Sequence, residues 1–394
     1  MAKPKKVVYA SSAMNEEDFS DLFRDSSKIP GQQAQKFNRL FAKGIEKNGV
    51  DVLMLSAPPI TRSNCPSRIK LLRKKREGRI CYSYLPIFNF KGIKNLLVMV
   101  LSFLRTFFAL IGRDSAVVCD VLNISVAMGA VSAGRLLGKP CVGIVTDIPE
   151  LMVTGHTPKM VKYSHKIIRK CTQYVFLTEA MSDRLNPTGK PYVIVEGVCD
   201  AEAVHDSENS VPEQPSCMYA GLLDAEYGVK SLVDGFLMAN VPNAKLHLCG
   251  NGPYVEELKQ IVDNNSNVIY HGMLFNKDVV KLEHEVSLLV NPRPSEGEFT
   301  KYSFPSKNME YMVSGTPMLA TRLPGIPTEY FDHLYLIEDE SAEGIANVLR
   351  QVFSKSPEEL LEKGRGAKAF ILREKNNVKQ AQKLMEMLEG IRKK

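Results

Sequence analysis

A regular alternation of strand-like and helix-like segments runs through the 394 residues of this sequence. Short apolar runs, such as 116–122 and 141–146, are each followed by a longer segment in which apolar residues recur every three or four positions. Strands that alternate with helices form parallel sheets, so this order predicts a doubly wound α/β fold. The chain is too long for one ordinary hydrophobic core, and we expect two domains.

One polar, acidic stretch with two prolines, residues 201–215, interrupts the alternation and has the composition of a linker. We therefore predict a Rossmann-like domain over 1–200, a second one over 216–375, and a separate helical segment over 376–394. Residues 12–33 are polar and are predicted to form a long loop.

Composition limits the classes of protein that the chain can represent. It is 44% hydrophobic and 24% charged, as in soluble globular proteins, and no apolar stretch is long enough to require a bilayer span. Eight cysteines without a Cys-x-x-Cys motif indicate reduced thiols in a cytoplasmic protein. The start Met-Ala-Lys-Pro-Lys-Lys leads directly into a strand, so no signal peptide is expected. A net charge of +7 permits an anionic substrate or membrane surface and does not argue for nucleic acid.

The segment 290–317 has the features of an anion site: a strand, a polar loop and then a helix. A helix that begins near Ser306 presents backbone N–H groups and the positive end of its dipole. Lys307 and Arg293 add positive charge, and Glu310, one turn further on, is placed to accept hydrogen bonds from a sugar. Each residue alone also fits an ordinary cap or a solvated charge. Together they predict a site for a nucleotide-sugar.

In the first half, polar residues follow the predicted strands. Asp147 comes directly after the strand 141–146, His156 lies in the same loop, and Gly31 ends the loop before a helix. Ligands of doubly wound sheets lie at the carboxyl ends of the strands, so these residues are candidates for a second substrate site. Asp147 either holds or deprotonates a hydroxyl group, or satisfies nearby N–H groups in a turn.

Residues 68–79 contain seven basic side chains and a single acidic one, and the apolar segment 96–111 follows shortly after. Two interpretations are open. The apolar segment is either a buried core helix, or it combines with the basic run to hold the protein on an anionic membrane.

Motifs of the second half resemble the retaining glycosyltransferases of the GT-B fold that are usually called family 4. They are Tyr219-Ala220-Gly221-Leu222-Leu223, Leu248-Cys249-Gly250-Asn251-Gly252-Pro253, Tyr270-His271-Gly272-Met273-Leu274, and Glu310 with Gly315-Thr316-Pro317. The resemblance implies two doubly wound Rossmann-like domains that face a cleft, with the C-terminal helix crossing back to the first domain. It also implies a set of donor-binding residues: Gly221, Gly250, Gly272, Met273, Ser306, Lys307 and Glu310.

The sequence departs from the pattern of that family at three positions. Leu222 and Tyr227 stand where an Arg and a Lys often bind the diphosphate, and Tyr302 stands near the position of the first of two glutamates. We expect residues of the loop before Ser306, and Lys307 directly after it, to replace the missing glutamate and the missing cations. The candidate carboxylates are Glu296 and Glu298, and the candidate cations are Arg293, Lys301 and Lys307.

The resemblance implies a retaining hexosyltransferase that moves a sugar from a nucleotide-sugar, a UDP-sugar, to a glycan or lipid-linked glycan. The sequences Phe304-Pro305-Ser306-Lys307 and Glu310-Tyr311-Met312 resemble a branch that builds bacterial surface polysaccharides. No Asp-x-Asp follows a strand, so neither a metal nor another cofactor is expected. The candidate catalytic residues on this hypothesis are Lys307, Arg293, Asp147 and Glu298.

Three other hypotheses remain. The same fold serves nucleotide-sugar epimerases and hydrolases, and Leu222 and Tyr227 are compatible with a nucleotide-binding scaffold whose catalytic site has decayed. A dinucleotide oxidoreductase is disfavoured, because no Gly-x-Gly-x-x-Gly follows the first strand. If the protein is such a transferase, we expect a cytoplasmic location. If the basic segment binds lipid, we expect the protein at the inner face of a membrane.

Overall fold

The computed structural model describes residues 3–26, 28–90, 92–152, 157–202, 212 and 214–390. The chain forms two units, Met1–Asp200 together with Asn376–Lys394, and Ala201–Lys375. Each unit has its own parallel sheet. Most of the predicted linker 201–215, and the candidate His156, lie outside the described residues.

The first unit alternates strands and helices as the sequence predicts. Its elements before the linker are β1 (Lys6–Ser11), α1 (Glu16–Phe23), α2 (Gln32–Lys47), β2 (Asp51–Ser56), β3 (Ile69–Lys70), β4 (Lys75–Glu77), β5 (Ile80–Tyr84), β6 (Ile87–Phe88), α3 (Lys94–Leu110), β7 (Ser115–Asp120), α4 (Ile124–Leu136), β8 (Cys141–Val145), α5 (Pro158–Lys170), β9 (Gln173–Phe176), α6 (Glu179–Leu185) and β10 (Tyr192–Ile194).

Eight of these strands form one sheet in the order β10-β9-β8-β7-β1-β2-β5-β4. All neighbours are parallel except β4, which pairs antiparallel with β5 at the edge. Every residue of β7 is buried, and Val7, Val8 and Ala10 of β1 are fully inaccessible. Burial on both faces is characteristic of parallel strands covered by helices, and it explains why these strands are continuous apolar runs.

The prediction of a loop over the whole of 12–33 is wrong, because α1 occupies Glu16–Phe23. The side chain of Asn15 accepts a hydrogen bond from the backbone N–H of Glu17 and caps the helix, and the first turn is acidic. Phe19 and Phe23, four residues apart, are buried on one face. The cap and the paired aromatic residues were visible in the sequence but are too short a pattern to outweigh the surrounding polar residues.

The second unit contains a six-stranded parallel sheet in the order β13-β12-β11-β14-β15-β16. Its elements are β11 (Ser216–Leu222), α7 (Val229–Ala239), β12 (Lys245–Asn251), α8 (Val255–Asn264), β13 (Val268–Gly272), α9 (Asn276–Glu285), β14 (Leu288–Asn291), α10 (Ser306–Ser314), β15 (Met318–Thr321), β16 (Tyr335–Ile337), α11 (Ala342–Phe353) and α12 (Pro357–Glu374). Short 3₁₀ turns precede α7, α10 and β16.

The last helix, α13 (Asn377–Glu389), returns to the first unit as predicted. It packs so closely on α2 that a Cβ atom at Gly44 would lie 2.0 Å from the carbonyl oxygen of Asn377. The backbone N–H of Asn377 donates to the carbonyl of Cys199 at 2.8 Å. The side chain of Gln380 donates to the buried carboxylate of Glu196 at 3.1 Å, so polar contacts also hold this helix in place.

The apolar segment 96–111 lies in α3 and its C-cap, and this helix is buried on one face only. One face, which includes Ser102 and Thr106, is buried, whereas Leu104 and Phe108 on another face are exposed. Within the described part of the chain, no helix has the length and hydropathy that crossing a membrane requires.

Candidate functional site

The sheet of the second unit changes winding direction between two adjacent strands. From β11 the chain continues to β12 and β13 on one side, and β14 then pairs with the opposite edge of β11. In doubly wound sheets, ligands bind where such a change leaves a crevice at the carboxyl ends of the strands. Here that place is the end of β11, at Gly221 and Leu222, beside the end of β14 at Asn291.

Glycines allow the backbone segments at this crevice to approach each other closely. A Cβ atom at Gly250, whose φ is +136°, would lie 1.8 Å from the carbonyl oxygen of Gly221. A Cβ atom at Gly252 would lie 2.2 Å from the carbonyl oxygen of Leu223, and one at Gly228 would lie 1.9 Å from that of Pro292. The floor of the crevice is therefore bare backbone, which suits a ligand that binds main-chain groups.

Helix α10 begins at Ser306, as predicted, and its N-cap is Pro305, which supplies no side-chain hydrogen bond to the first turn. The side chain of Lys307 extends towards the end of β11, since its Cε lies 3.0 Å from the position of a Cβ atom on Gly221. Its Nζ lies 5.8 Å from the centre of the Tyr311 ring. The structure thus brings Lys307 and Gly221, two of the predicted site residues, into contact.

Two buried side chains hold α10 against the sheet. The hydroxyl of Tyr311 accepts a hydrogen bond from the backbone N–H of Ala220 at 2.9 Å, and the amide of Asn291 donates to Asn308 at 2.6 Å. Tyr311 and Asn308 are almost completely inaccessible. Ser306, Lys307 and Glu310 remain at least partly accessible. The helix consequently presents its charged first turn at the crevice while its opposite face is immobilised.

Arg293 lies in the loop after β14, between two aromatic side chains. Its Cζ is 4.8 Å from the centre of the Phe299 ring and 5.6 Å from that of Tyr227. Burial lowers the pKa of Arg293 from its usual value, and its Nε is buried without a hydrogen-bond partner within the described residues. A half-buried guanidinium with an unused donor is suited to an anionic ligand.

Both cations lie near the side chain of Tyr219. Its hydroxyl lies 2.7 Å from the position of a Cβ atom on Gly221, the same position that Lys307 approaches. Burial raises the pKa of Tyr219 to about 12, and the positive charge of Arg293 opposes this rise. Arg293 and Lys307 therefore both lie near the Tyr219 ring at the end of β11, although they come from different loops.

The remaining predicted residues of this unit lie around the same edge of the sheet. Gly272 ends β13, two strand positions from β11, with φ +68°, and Met273 after it is 75% exposed. Glu296 and Glu298 are exposed in the loop before α10, and Glu298 starts a 3₁₀ turn. The role of either carboxylate at the donor site stays a prediction.

Among the described residues, no group of three or more His, Cys, Asp or Glu side chains is placed to hold a metal ion. All eight cysteines are free thiols and seven of them are buried.

In the first unit the corresponding change of winding lies between β1 and β7. Its main residue, Asp120, was not among the predicted site residues. This carboxylate is 4% exposed at the end of β7 and accepts hydrogen bonds from the backbone N–H of Leu122 at 3.0 Å and from the amides of Asn123 and Asn38. Asn38 in turn accepts a hydrogen bond from Tyr9 at 2.8 Å. The only sequence signal was one acidic residue at the end of an apolar strand.

Asp147 lies at the end of the neighbouring strand β8, and it is exposed. Burial raises the pKa of Asp120 to about 6, and the negative charge of Asp147 adds to the rise. Gly31 is the N-cap of α2 and has open space around it. The structure therefore pairs the predicted Asp147 with a second carboxylate at the same edge of the sheet.

The raised pKa of Asp120 has a measurable effect on stability. Because the folded state retains the proton to a higher pH than the unfolded state, the free energy of unfolding falls as pH rises from about 4 to about 6 and stays lower above that range. The shift corresponds to about 3 kcal/mol at 1.36 kcal/mol per pKa unit. We expect Asp120→Asn to remove this decrease in urea unfolding followed at pH 4.5 and pH 7.5 by circular dichroism.

Asp114→Asn, at an exposed site of the same unit, is the control and should leave the pH dependence in place. A pH dependence equal to that of the wild type in Asp120→Asn would contradict the assignment.

Comparisons with known proteins agree with this geometry. Residues 214–355 match the family model described as glycosyl transferases group 1. A segment of 119 residues is 27% identical to the sulfoquinovosyl transferase SQD2 of Arabidopsis thaliana. That alignment covers 30% of this chain and 22% of SQD2, so the chain is similar to less than a quarter of that protein.

Solved structures are similar over nearly the whole chain. The sucrose-phosphate synthase of Thermosynechococcus elongatus aligns with a TM-score of 0.66 and 13% identity, covering 98% of this chain and 99% of its own. Anabaena HepE, solved with UDP and glucose, aligns with a TM-score of 0.61 and 16% identity over the same shares. The chain therefore has the GT-B fold, with a Rossmann-like sheet in each unit. The residues that match the group 1 glycosyl transferase model all lie in the second unit.

Proposed function

We propose that this protein is a metal-independent, retaining glycosyltransferase of family 4 that moves a hexosyl group from a UDP-sugar to a glycan or lipid-linked glycan acceptor. The observation that carries the proposal is the approach of Lys307 to Gly221 at the change of winding, together with Arg293, whose charge acts on the adjacent Tyr219. The match to group 1 glycosyl transferases covers this part of the chain. HepE, which was solved with UDP and glucose, supports UDP as the nucleotide.

The chemistry of sugar transfer explains why cations belong at this position. As the bond between the sugar and the diphosphate breaks, negative charge develops on the leaving diphosphate, and preorganised positive groups stabilise it. Lys307, Arg293 and the N–H groups of the first turn of α10 would carry out this role. Glu310 would bind the ribose, and Glu296 or Glu298 the hydroxyl groups of the donor sugar.

The position of Arg293 accounts for the departures from the usual family motif. Tyr227 stands where the resemblance leads one to expect a diphosphate-binding Lys, but its ring lies under the guanidinium of Arg293. We infer that Arg293 supplies from the β14 loop a charge that the β11 loop lacks. Asp147, with Asp120 beside it, is the candidate for contacting the acceptor hydroxyl. A glycan of a bacterial surface polysaccharide is the acceptor class that we propose.

Nucleotide binding provides the first test. UDP at one hundred times its Kd should stabilise the folded protein by about 2.7 kcal/mol, and GDP and ADP should act only at higher concentration. Thermal unfolding with each nucleotide measures this difference. If none of the three raises the melting temperature, the nucleotide site is not where we place it.

Turnover provides the second test. We expect release of UDP from at least one of UDP-glucose, UDP-galactose and UDP-N-acetylglucosamine, with the sugar that is transferred to an acceptor keeping the α configuration in the ¹H NMR spectrum. UDP binding without turnover of any UDP-sugar would instead favour a nucleotide-binding scaffold, the alternative that Leu222 and Tyr227 raise. A β product would contradict retention.

A further inference from the structure

Helix α3 carries a continuous row of exposed apolar side chains along one face. These side chains recur every three or four residues and are between 43% and 69% exposed: Ile93, Leu96, Val100, Leu104, Phe108 and Ile111. At 1.5 Å per residue, the row from Leu96 to Phe108 is about 18 Å long. Scattered exposed hydrophobic residues are normal, but a contiguous row of this size on a soluble protein marks a surface for contact.

Contacts on the opposite face of α3 determine which of its side chains are exposed. The hydroxyl of Ser102 donates to the carbonyl of Val126 in α4 at 2.7 Å. A Cβ atom at Gly129 of α4 would lie 2.3 Å from the carbonyl oxygen of Met99, so the two helix backbones nearly touch. The helix cannot rotate about its axis without losing this contact. The buried residues of α3 are thus Val98, Ser102, Thr106 and Leu110, two of them polar, while a row of larger apolar side chains faces outward. An ordinary surface helix instead directs its polar side chains to solvent.

A short antiparallel ribbon extends the apolar surface beyond the start of α3. Ile69 of β3 pairs with Phe88 of β6, and α3 begins six residues after Phe88. Three large apolar side chains of this region are also exposed: Ile69 at 52%, Leu71 at 67% and Phe90 at 37%. We call the exposed row of α3 together with these three side chains the α3 face.

Positive charge is concentrated in the same part of the chain. Residues 57–113 contain twelve Lys or Arg and one acidic residue, a net charge of +11, whereas the whole chain carries +7. The rest of the chain is therefore negative, at −4. Lys75 is neutralised by Glu17 and Arg79 by Asp51. Within the basic run 68–79, four other exposed side chains make no ion pair with any described residue: Arg68, Arg73, Lys74 and Arg76.

We propose that the α3 face binds the surface of an anionic lipid bilayer, with α3 lying in the interface. A row of apolar side chains combined with unpaired cations matches acyl chains beneath negative headgroups. A soluble polyanion would leave the apolar row unused. A second copy would bring together two segments of +11 each, and this repulsion disfavours self-association through the α3 face.

The absence of tryptophan from the sequence makes direct detection possible. Phe108→Trp places a single indole on the α3 face, where the native side chain is 69% exposed. With vesicles of equal parts phosphatidylglycerol and phosphatidylcholine, we expect its emission to shift to the blue and to be quenched by brominated acyl chains. Met238→Trp, at a 51% exposed site of the second unit, should show neither change. An emission spectrum of Phe108→Trp that the vesicles leave unaltered would overturn the proposal.

Vesicle sedimentation at physiological salt measures the separate contributions of the apolar and basic residues. Leu104→Ser with Phe108→Ser should raise the lipid concentration for half-maximal binding at least tenfold. Arg73→Gln with Lys74→Gln should raise it about fivefold for each lost charge. The matched control, Lys259→Gln with Lys281→Gln, makes the same change in net charge in the second unit and should leave binding unaltered. All four native side chains of the two test variants are exposed, and unchanged melting temperatures would verify folding.

Three results would overturn the proposal. They are equal binding to pure phosphatidylcholine, binding that neither test variant weakens, and a lipid-free dimer in light scattering that Leu104→Ser with Phe108→Ser dissociates. The last result would identify a second copy as the occupant. None of these measurements involves sugar transfer, so the proposal and the proposed function stand or fall separately.

Discussion

Replacement of Lys307 by alanine is expected to lower the rate of sugar transfer by roughly 10²- to 10³-fold, the usual effect of removing one preorganised group that stabilises developing negative charge. The side chain reaches the end of β11 from the first turn of α10, where the leaving diphosphate would lie. Steady-state kinetics with the UDP-sugar that the wild type uses, together with UDP titration calorimetry, would measure the losses in rate and affinity.

Two variants distinguish a functional from a structural role of Lys307. Lys307→Arg keeps the charge and should retain more activity than Lys307→Ala. Lys281→Ala removes an exposed cation of α9 and should leave the rate within twofold of the wild type. If Lys307→Ala transfers sugar at the wild-type rate and binds UDP normally, our assignment of the donor site is wrong.

A second large effect is expected when Gly250 is replaced by alanine. The φ of +136° is unfavourable for any residue with a side chain and costs roughly 1–3 kcal/mol. The new Cβ would also lie 1.8 Å from the carbonyl oxygen of Gly221, so β11 and β12 must separate, which adds roughly 1–3 kcal/mol. We expect the free energy of unfolding to fall by about 2–6 kcal/mol, and UDP binding to weaken because Gly221 moves.

Gly272→Ala is the matched control for backbone strain. Its φ of +68° is also unfavourable, but no atom lies within 4 Å of the new Cβ. We expect this change to lower the free energy of unfolding by only roughly 1–2 kcal/mol. Urea unfolding of both variants at one pH would measure the difference, and equal losses would contradict the close contact between the two strands.

The two proposals assign different tasks to the two units. On these proposals, the cations at the end of β11 would serve the donor, whereas the α3 face would give the first unit its own surface for a bilayer. A lipid-linked acceptor would make both tasks part of one reaction, because the enzyme would then meet its acceptor at the membrane. A water-soluble acceptor would leave vesicle binding intact as a separate property.

Local sequence patterns were sufficient to predict most of the fold. The apolar runs predicted the parallel strands of both sheets, because parallel strands buried on both faces must be apolar throughout. Three- to four-residue periodicities predicted most of the helices that cover them. The antiparallel edge strand β4 was not predicted, since Lys75–Glu77 is a charged segment. The start of α10 at Ser306 followed from local helix-start chemistry. Helix α1 was missed because its signal, one cap and two phenylalanines, is short and lies among polar residues.

Contacts between residues far apart in the sequence were not predictable in the same way. Arg293 lies 66 positions after Tyr227, and only the pairing of β11 with β14 brings the guanidinium onto that ring. Asp120 became a candidate only when folding placed it beside the amides of Asn38 and Asn123 and near Asp147. A pKa shift depends on burial and on neighbouring charges, and the order of residues alone specifies neither.

The sequence by itself therefore determined the class of fold, the two units and the helix that opens the candidate donor site, since these follow from hydrophobic periodicity and local hydrogen bonding. Only the tertiary structure decided which faces of those elements are covered. Helix α3 is apolar on nearly every side. The contacts of Ser102 in α3 and Gly129 in α4, each with the other helix, determine which row of its side chains is exposed. Close packing selects one rotation of such a helix, whereas its composition is compatible with several.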